Sequence, residues 1–313
     1  MKKVCLFVFF WCLFIGSLLF TDVGTNIPVS VKLLRAHVQK LVEIEPPRNY
    51  RHIPSLDRAA DYIFEQFRLY TKQVEFQEYT VEDKKYKNVI ASFGPPSAER
   101  IVVGAHYDVC GEVPGADDNA TGVASILELA RLISILKPHL KYRIDLAAYC
   151  LEEPPFFRTS NMGSAVHAKS LAMAKVKIRA MISLDMIGYF SESASPLEVV
   201  SSFARPGTVV PGLSTTLISK KGDEELSGTI AGLMSAASGR LAVVVLNPPR
   251  DTEGIDWSDH LNFWNHDYPG VMITNYFVCP NPHYHRPADT MDHLDFDKIA
   301  LIVRGLYNAL IKM

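Results

Sequence analysis

From Ile101 onward the chain keeps changing its hydrophobic period. Apolar runs of strand length alternate with longer stretches whose apolar residues recur at helical spacing. The strand-like runs are Ile101–His106, Tyr142–Leu151, Ile178–Tyr189, Leu213–Ser219, Leu241–Leu246 and Val271–Phe277. The helical ones are Ala120–Leu136, which reads as amphipathic, Gly163–Ala174, Asp223–Ala237 and Phe296–Ile311. Such alternation predicts an α/β fold, a three-layer α/β/α sandwich with a mixed, largely parallel central sheet. Ahead of it, Pro28–Ile44 has helical spacing and is stopped by Pro46-Pro47. Ser55–Tyr70 reads as a second helix capped by Ser55, and Gln73–Val81 and Tyr86–Phe93 as two strands around a polar turn.

In sheets of this kind, chemistry gathers at the carboxyl ends of strands. That is where this chain places metal-capable side chains. GAHYD puts His106 at a strand terminus, with Asp108 two residues on and placed to hold the second ring N–H of the imidazole. Alone, His106 fits a structural strand-capping residue equally well. PGADDNATG carries Asp117 and Asp118 in a Gly-bounded loop before a helix. One Asp there is well accounted for as a cap, and two following an apolar strand and a His loop less well. LEEPP follows a buried strand with Glu152 and Glu153, neighbours that repel unless a cation lies beside them. SLDMIG sets Asp185 inside an apolar run, where an unpaired carboxylate costs several kcal/mol. CPNPHYHRPADT offers His283 and His285 in a Pro-rich loop, and WSDH adds Asp259 and His260 as supporting groups. His106, Asp118, Glu153, Asp185 and His285 suffice for two divalent ions sharing one carboxylate, with Glu152 free to act as a base, a pattern that suits metal-assisted hydrolysis. The chain has no G-x-S-x-G, H-E-x-x-H or P-loop motif.

Composition removes other classes. A formal net charge of −2 over 313 residues gives no electrostatic footprint for nucleic acid. Five cysteines without a CxxC, two of them (Cys5 and Cys12) in an apolar N-terminal stretch, exclude a disulfide scaffold. That stretch, Val4–Phe20, follows Lys2-Lys3 and is free of charge. It reads as a signal or membrane-anchor segment over residues 1–24, with a single domain over 25–313 lying outside the cytoplasm, tethered or secreted. Its length is near the short limit of ~17–25 residues for a span, and no A-x-A-like cleavage site follows.

Taken in order, these motifs resemble those of the co-catalytic zinc exopeptidases of metallopeptidase family twenty-eight, from about Asn88 to the C-terminus. The resemblance implies two zinc ions and a peptide substrate. It makes Asp118 the bridging carboxylate, with His106 and Asp185 completing one site and Glu153 and His285 the other. Glu152 becomes the general acid/base, and a cis peptide is implied at Asp118–Asn119. The choice of His285 over His283 rests on the family's His shortly before an Asp-Thr pair. An aminopeptidase is the activity implied. A glutaminyl cyclase-like acyltransferase, a carboxypeptidase using Arg158, Arg205 or Arg250 for a terminal carboxylate, and a non-catalytic receptor-like member are the alternatives. The chain departs from the family in Pro154-Pro155-Phe156-Phe157-Arg158, where many members continue E-E-x-G-L. Tyr189, Phe190, Trp257, Tyr276 and Phe277 are candidates for an apolar pocket, and Ser191–Gly212 for a lid.

Overall fold

A computed structural model of the chain describes residues 27–96 and 99–313. The proposed signal or anchor segment, with Cys5 and Cys12, lies outside them. Two helices open the fold, α1 (Val31–Val42) and α2 (Ile53–Arg68). Ser30 caps α1 by accepting from the Leu33 amide at 3.2 Å. α2 begins earlier than its apolar pattern suggests. Pro54 at its first turn starts it, and Ser55 is buried inside the helix rather than capping it.

The strands are β1 (Val74–Val81), β2 (Lys84–Phe93), β3 (Arg100–His106), β4 (Arg143–Tyr149), β5 (Ile178–Leu184), β6 (Ser214–Ile218), β7 (Ala242–Leu246) and β8 (Gly270–Thr274). They form one mixed sheet in the order β1-β2-β4-β3-β5-β8-β6-β7. β4, β3, β5 and β8 run parallel at its centre. β1 and β2 add an antiparallel hairpin whose two-residue turn, Glu82-Asp83, has positive φ at both positions.

Chain order reverses at β3, which has β4 on one side and β5 on the other. That switch point opens a crevice above the carboxyl ends of the three strands. β5 ends at Leu184, so Asp185 stands just past the strand rather than within it.

The connecting helices are α3 (Thr121–Leu136), α4 (Gly163–Met173), α5 (Glu198–Phe203), α6 (Glu224–Ser235), α7 (His260–Trp264) and α8 (Phe296–Lys312). α1, α2, α3, α6 and α8 cover one face of the sheet, and α4 and α7 the other. α3 is not amphipathic as its sequence suggests. It is buried nearly all round, between the sheet and its neighbouring helices. The strands alternate accordingly. Ile101, Val103 and Ala105 of β3 join the core on the α3 side, and Val102 the core under α4. α3 comes so close to the strand ends that a Cβ on Gly122 would lie 2.7 Å from the Leu184 carbonyl oxygen.

The segment Ser191–Gly212, read from sequence as a lid, contains α5 and buries Val200. None of its residues lines the cavity described below.

Candidate metal centre

Each strand end delivers one part of the centre. His106 is the last residue of β3, and its Nδ1–H donates to the Asp108 main-chain carbonyl at 3.2 Å. This turns Nε2 towards the carboxylates, the arrangement a ligating His needs. The Asp108 carboxylate, placed by the sequence at that N–H, lies 3.6 Å from Nδ1 and has a further task. It accepts from the Glu152 and Glu153 amides, each at 3.1 Å, and so fixes the turn that presents both glutamates beyond β4.

Asp117 and Asp118 sit in a tight turn over Ala116–Ala120, with a cis peptide at Asp118–Asn119. Asp289 grips this turn from the opposite loop, accepting from the amides of Asp117 at 2.9 Å and Asp118 at 3.1 Å. Asp117 faces away from the centre, towards the Gly188 amide (2.7 Å) and Asn281 Nδ2 (2.8 Å). Asp118 faces into it and divides its carboxylate. Oδ1 lies 3.2 Å from His106 Nε2 and Oδ2 lies 3.1 Å from His285 Nε2.

His106 Nε2 is also 3.6 Å from Asp185 Oδ2 and 3.9 Å from Glu152 Oε2. His285 Nε2 is 3.1 Å from Glu153 Oε2. His106, Asp118, Glu152, Glu153, Asp185 and His285 therefore meet in one place. His283 does not, and stacks on His293 instead. His260 donates Nε2–H to the Ile255 carbonyl and packs edge-on against Trp264.

The donor set suits divalent cations. Asp108, Asp117, Asp118, Glu152, Glu153, Asp185, Asp259 and Asp289 are all buried in this part of the fold, a density of acids that demands positive charge. Glu153 Oε1 is buried without any hydrogen-bond donor. Burial pushes Glu153 up to about 8, with Asp118 beside it adding to the effect, and burial lifts Glu152 well above its ordinary value. Burial also works to raise Asp118, but the bonds from His106 and His285 outweigh it and hold that carboxyl well below the usual range.

Sequence reasoning missed Arg48. It is buried, and its guanidinium donates to the carbonyls of Tyr107, Leu41, Pro114 and Gly115 at 2.6–3.2 Å. It thus ties α1 to the two loops that carry Asp108 and Asp118. Its only hint in the sequence was a charged residue straight after Pro46-Pro47. Arg48→Ala is expected to destabilise the fold by roughly 3–5 kcal/mol, the scale for leaving several buried carbonyls without the charged donor they share. Urea unfolding curves check this, and an unchanged midpoint counts against the assigned role.

A cavity of about 240 Å³ opens at the centre, lined by Asp118, Glu152, Glu153, Asp185 and His285 together with apolar side chains, among them Phe157, Trp257, Met272, Tyr276 and Phe277. Tyr189 and Phe190 do not reach it. The first packs on His283, and the second lies under the Lys298 ammonium. No arginine or lysine lines it among the described residues. Arg158 pairs with Asp256 at 2.6 Å, Arg250 donates to Asn265, and Arg205 lines a separate cavity beside α6.

The family profile described as Peptidase family M28 matches residues 88–310. A protein of Escherichia coli (strain K12) described as "Uncharacterized protein YfbL" is 38% identical over 295 residues, covering 90% of this chain and 88% of its own. A "Probable leucine aminopeptidase 1" of Trichophyton verrucosum is 26% identical over 246 residues, covering 72% of this chain and 58% of its own, so the chain spans little over half of that relative. Among solved structures, BSAP, a zinc aminopeptidase from Bacillus subtilis, superposes with a TM-score of 0.71 at 14% identity, covering 92% of this chain and 97% of its own. Solved glutaminyl cyclases share the fold with a TM-score of 0.66.

Proposed function

The chain belongs to peptidase family M28, and from that membership together with the geometry of the centre we propose that it is a two-zinc aminopeptidase removing apolar residues from the free N-termini of peptides. The observation that carries this reading is the divided carboxylate of Asp118, with one oxygen on His106 and the other on His285. His106, Asp118 and Asp185 would hold one ion, and Asp118, Glu153 and His285 the other. When bound, zinc supplies Lewis acidity, polarising a carbonyl and shifting the pKa of water from ~15.7 towards ~7.

The remaining work belongs to the chain's own residues. Glu152, placed 3.9 Å from His106 Nε2 by the bonds from Asp108, takes the proton of the attacking water. The water oxygen adds to the carbonyl carbon. The C–N bond then breaks, and Glu152 returns its proton to the leaving nitrogen. Asp108 is a positioning residue in this scheme, since it holds both glutamate amides.

The cavity favours an aminopeptidase over a carboxypeptidase. A substrate ammonium suits its acidic lining, and no arginine or lysine among the described residues lines it to bind a terminal carboxylate. Its apolar lining suits a large uncharged first side chain. Phe157 comes from the Pro-Pro-Phe-Phe-Arg departure and lines the cavity, whereas Phe156 turns inward to pack edge-on against Tyr50.

Trp257→Ala is expected to lower kcat/KM for leucyl and phenylalanyl substrates by roughly tenfold and to leave alanyl substrates nearly unchanged, the scale of discrimination in apolar pockets. Equal losses for all three contradict the pocket assignment. A panel of aminoacyl-nitroanilides and N-terminal glutaminyl peptides, with and without chelator, tests the function. Chelator-sensitive release of nitroaniline supports it, and cyclisation of glutaminyl peptides alone refutes it. The N-terminal apolar segment places this activity outside the cytoplasm in our reading, tethered or released.

A further inference from the structure

Cys110 lies in the loop after β3, one residue beyond Val109, and no motif considered so far uses it. Its Sγ, a carboxylate oxygen of Glu153 and a ring nitrogen of His285 all lie within 4.8 Å of one another. The loop is clamped on both sides of it. The Val109 amide donates to the Arg48 carbonyl at 3.2 Å, and Asn49 Nδ2 donates to the Gly111 carbonyl at 2.6 Å. A second observation points the same way. Glu153, 4% exposed, keeps Oε1 without a donor while Oε2 meets His285.

Resting on the two-zinc reading above, we propose that Cys110 is a ligand of the ion held by Glu153 and His285. With Asp118 Oδ2, 3.1 Å from His285 Nε2, that site would have four protein donors, one of them sulfur. The site of His106, Asp118 and Asp185 has three and no thiol among the described residues. Zinc bonds of ~2.3 Å to sulfur and ~2.0 Å to nitrogen or oxygen put tetrahedral donors roughly 3.5 Å apart, so a modest closure of the three groups completes the shell. On binding, the thiol gives its proton to solvent and its lone pair to the metal.

The two ions then differ in kind. A fully protein-ligated site binds tightly, exchanges slowly and favours thiophilic ions. The three-donor site keeps a position open for water or substrate. The other cysteines of the described fold do not compete. Cys150 is fully buried under Tyr107, and Cys279 faces the Ser191 carbonyl at 3.9 Å.

An anaerobic cobalt titration of the chelator-stripped full chain tests the idea, with Cys110→Ser beside it. The wild-type protein is expected to gain a near-ultraviolet sulfur-to-cobalt charge-transfer band with one of two equivalents. The variant is expected to lose that band, keep the visible d–d absorption, and bind one ion at least ~10-fold more weakly. Two bound ions without a charge-transfer band in the wild type, or a band that persists in the variant, overturns the assignment and leaves the two-zinc reading standing. Failure of both proteins to bind cobalt overturns both. Should the variant fold poorly, alkylation of the wild-type protein read by mass spectrometry decides. Zinc loading is expected to slow modification of Cys110 at least tenfold, and equal rates with and without zinc overturn the proposal.

Discussion

Glu152→Gln is expected to cut kcat by about 10²–10⁴-fold while leaving the zinc content unchanged. The substitution keeps the shape of the side chain and removes only its ability to take a proton. The position of the residue does not depend on its carboxylate, because Asp108 holds its backbone amide at 3.1 Å. The neighbouring Glu153 remains free to ligate, so metal loss should not confound the measurement. Steady-state kinetics with a leucyl nitroanilide, beside atomic emission on the same sample, separate the two effects. A variant with unaltered kcat removes Glu152 from the mechanism. Reduced kcat with proportionally reduced zinc turns it into a ligand instead.

Asp118→Asn is expected to weaken both zinc sites together, each by more than the ~10–100-fold typical of losing an outer hydrogen-bond partner. The carboxylate of Asp118 reaches His106 through Oδ1 and His285 through Oδ2. An amide carries no charge and presents a donor to one of the two. The turn itself should survive, since Asp289 grips the main-chain amides of Asp117 and Asp118 and not their side chains. Zinc retained after gel filtration reports the outcome. Loss of one ion with full retention of the other contradicts a shared carboxylate.

Much of this centre was legible because strand ends leave a local trace. An apolar run closing on His106, or on Glu152-Glu153, is visible within ten residues of sequence. Asp185 was legible as an acid next to an apolar strand, although its place one residue past the strand end was not. What the sequence hid depends on contacts between distant segments. Asp289 lies 172 residues from the Asp117 amide it holds, and a His-Arg-Pro-Ala-Asp-Thr loop gives no hint of that bond. Arg48 is legible as an isolated charge, yet its four carbonyl acceptors come from three segments. Asp108 was legible as the acid beside His106, where its carboxylate lies 3.6 Å from Nδ1, but its bonds to two amides beyond β4 were not. Choosing Asp118 over Asp117, and His285 over His283, required the family resemblance, since both pairs look alike in composition and spacing. α3 was misread as amphipathic because its burial on a second face comes from helices far along the chain.

Two zinc ions at His106, Asp118, Glu153, Asp185 and His285 are what we propose makes this chain an aminopeptidase. Titrating the chelator-stripped protein with zinc, while following bound metal and hydrolysis of leucyl nitroanilide in one sample, tests it most directly. Saturation is expected at two equivalents, with activity absent in the stripped protein and restored as the sites fill. Full activity in the stripped protein, or saturation with zinc that restores none, would contradict it.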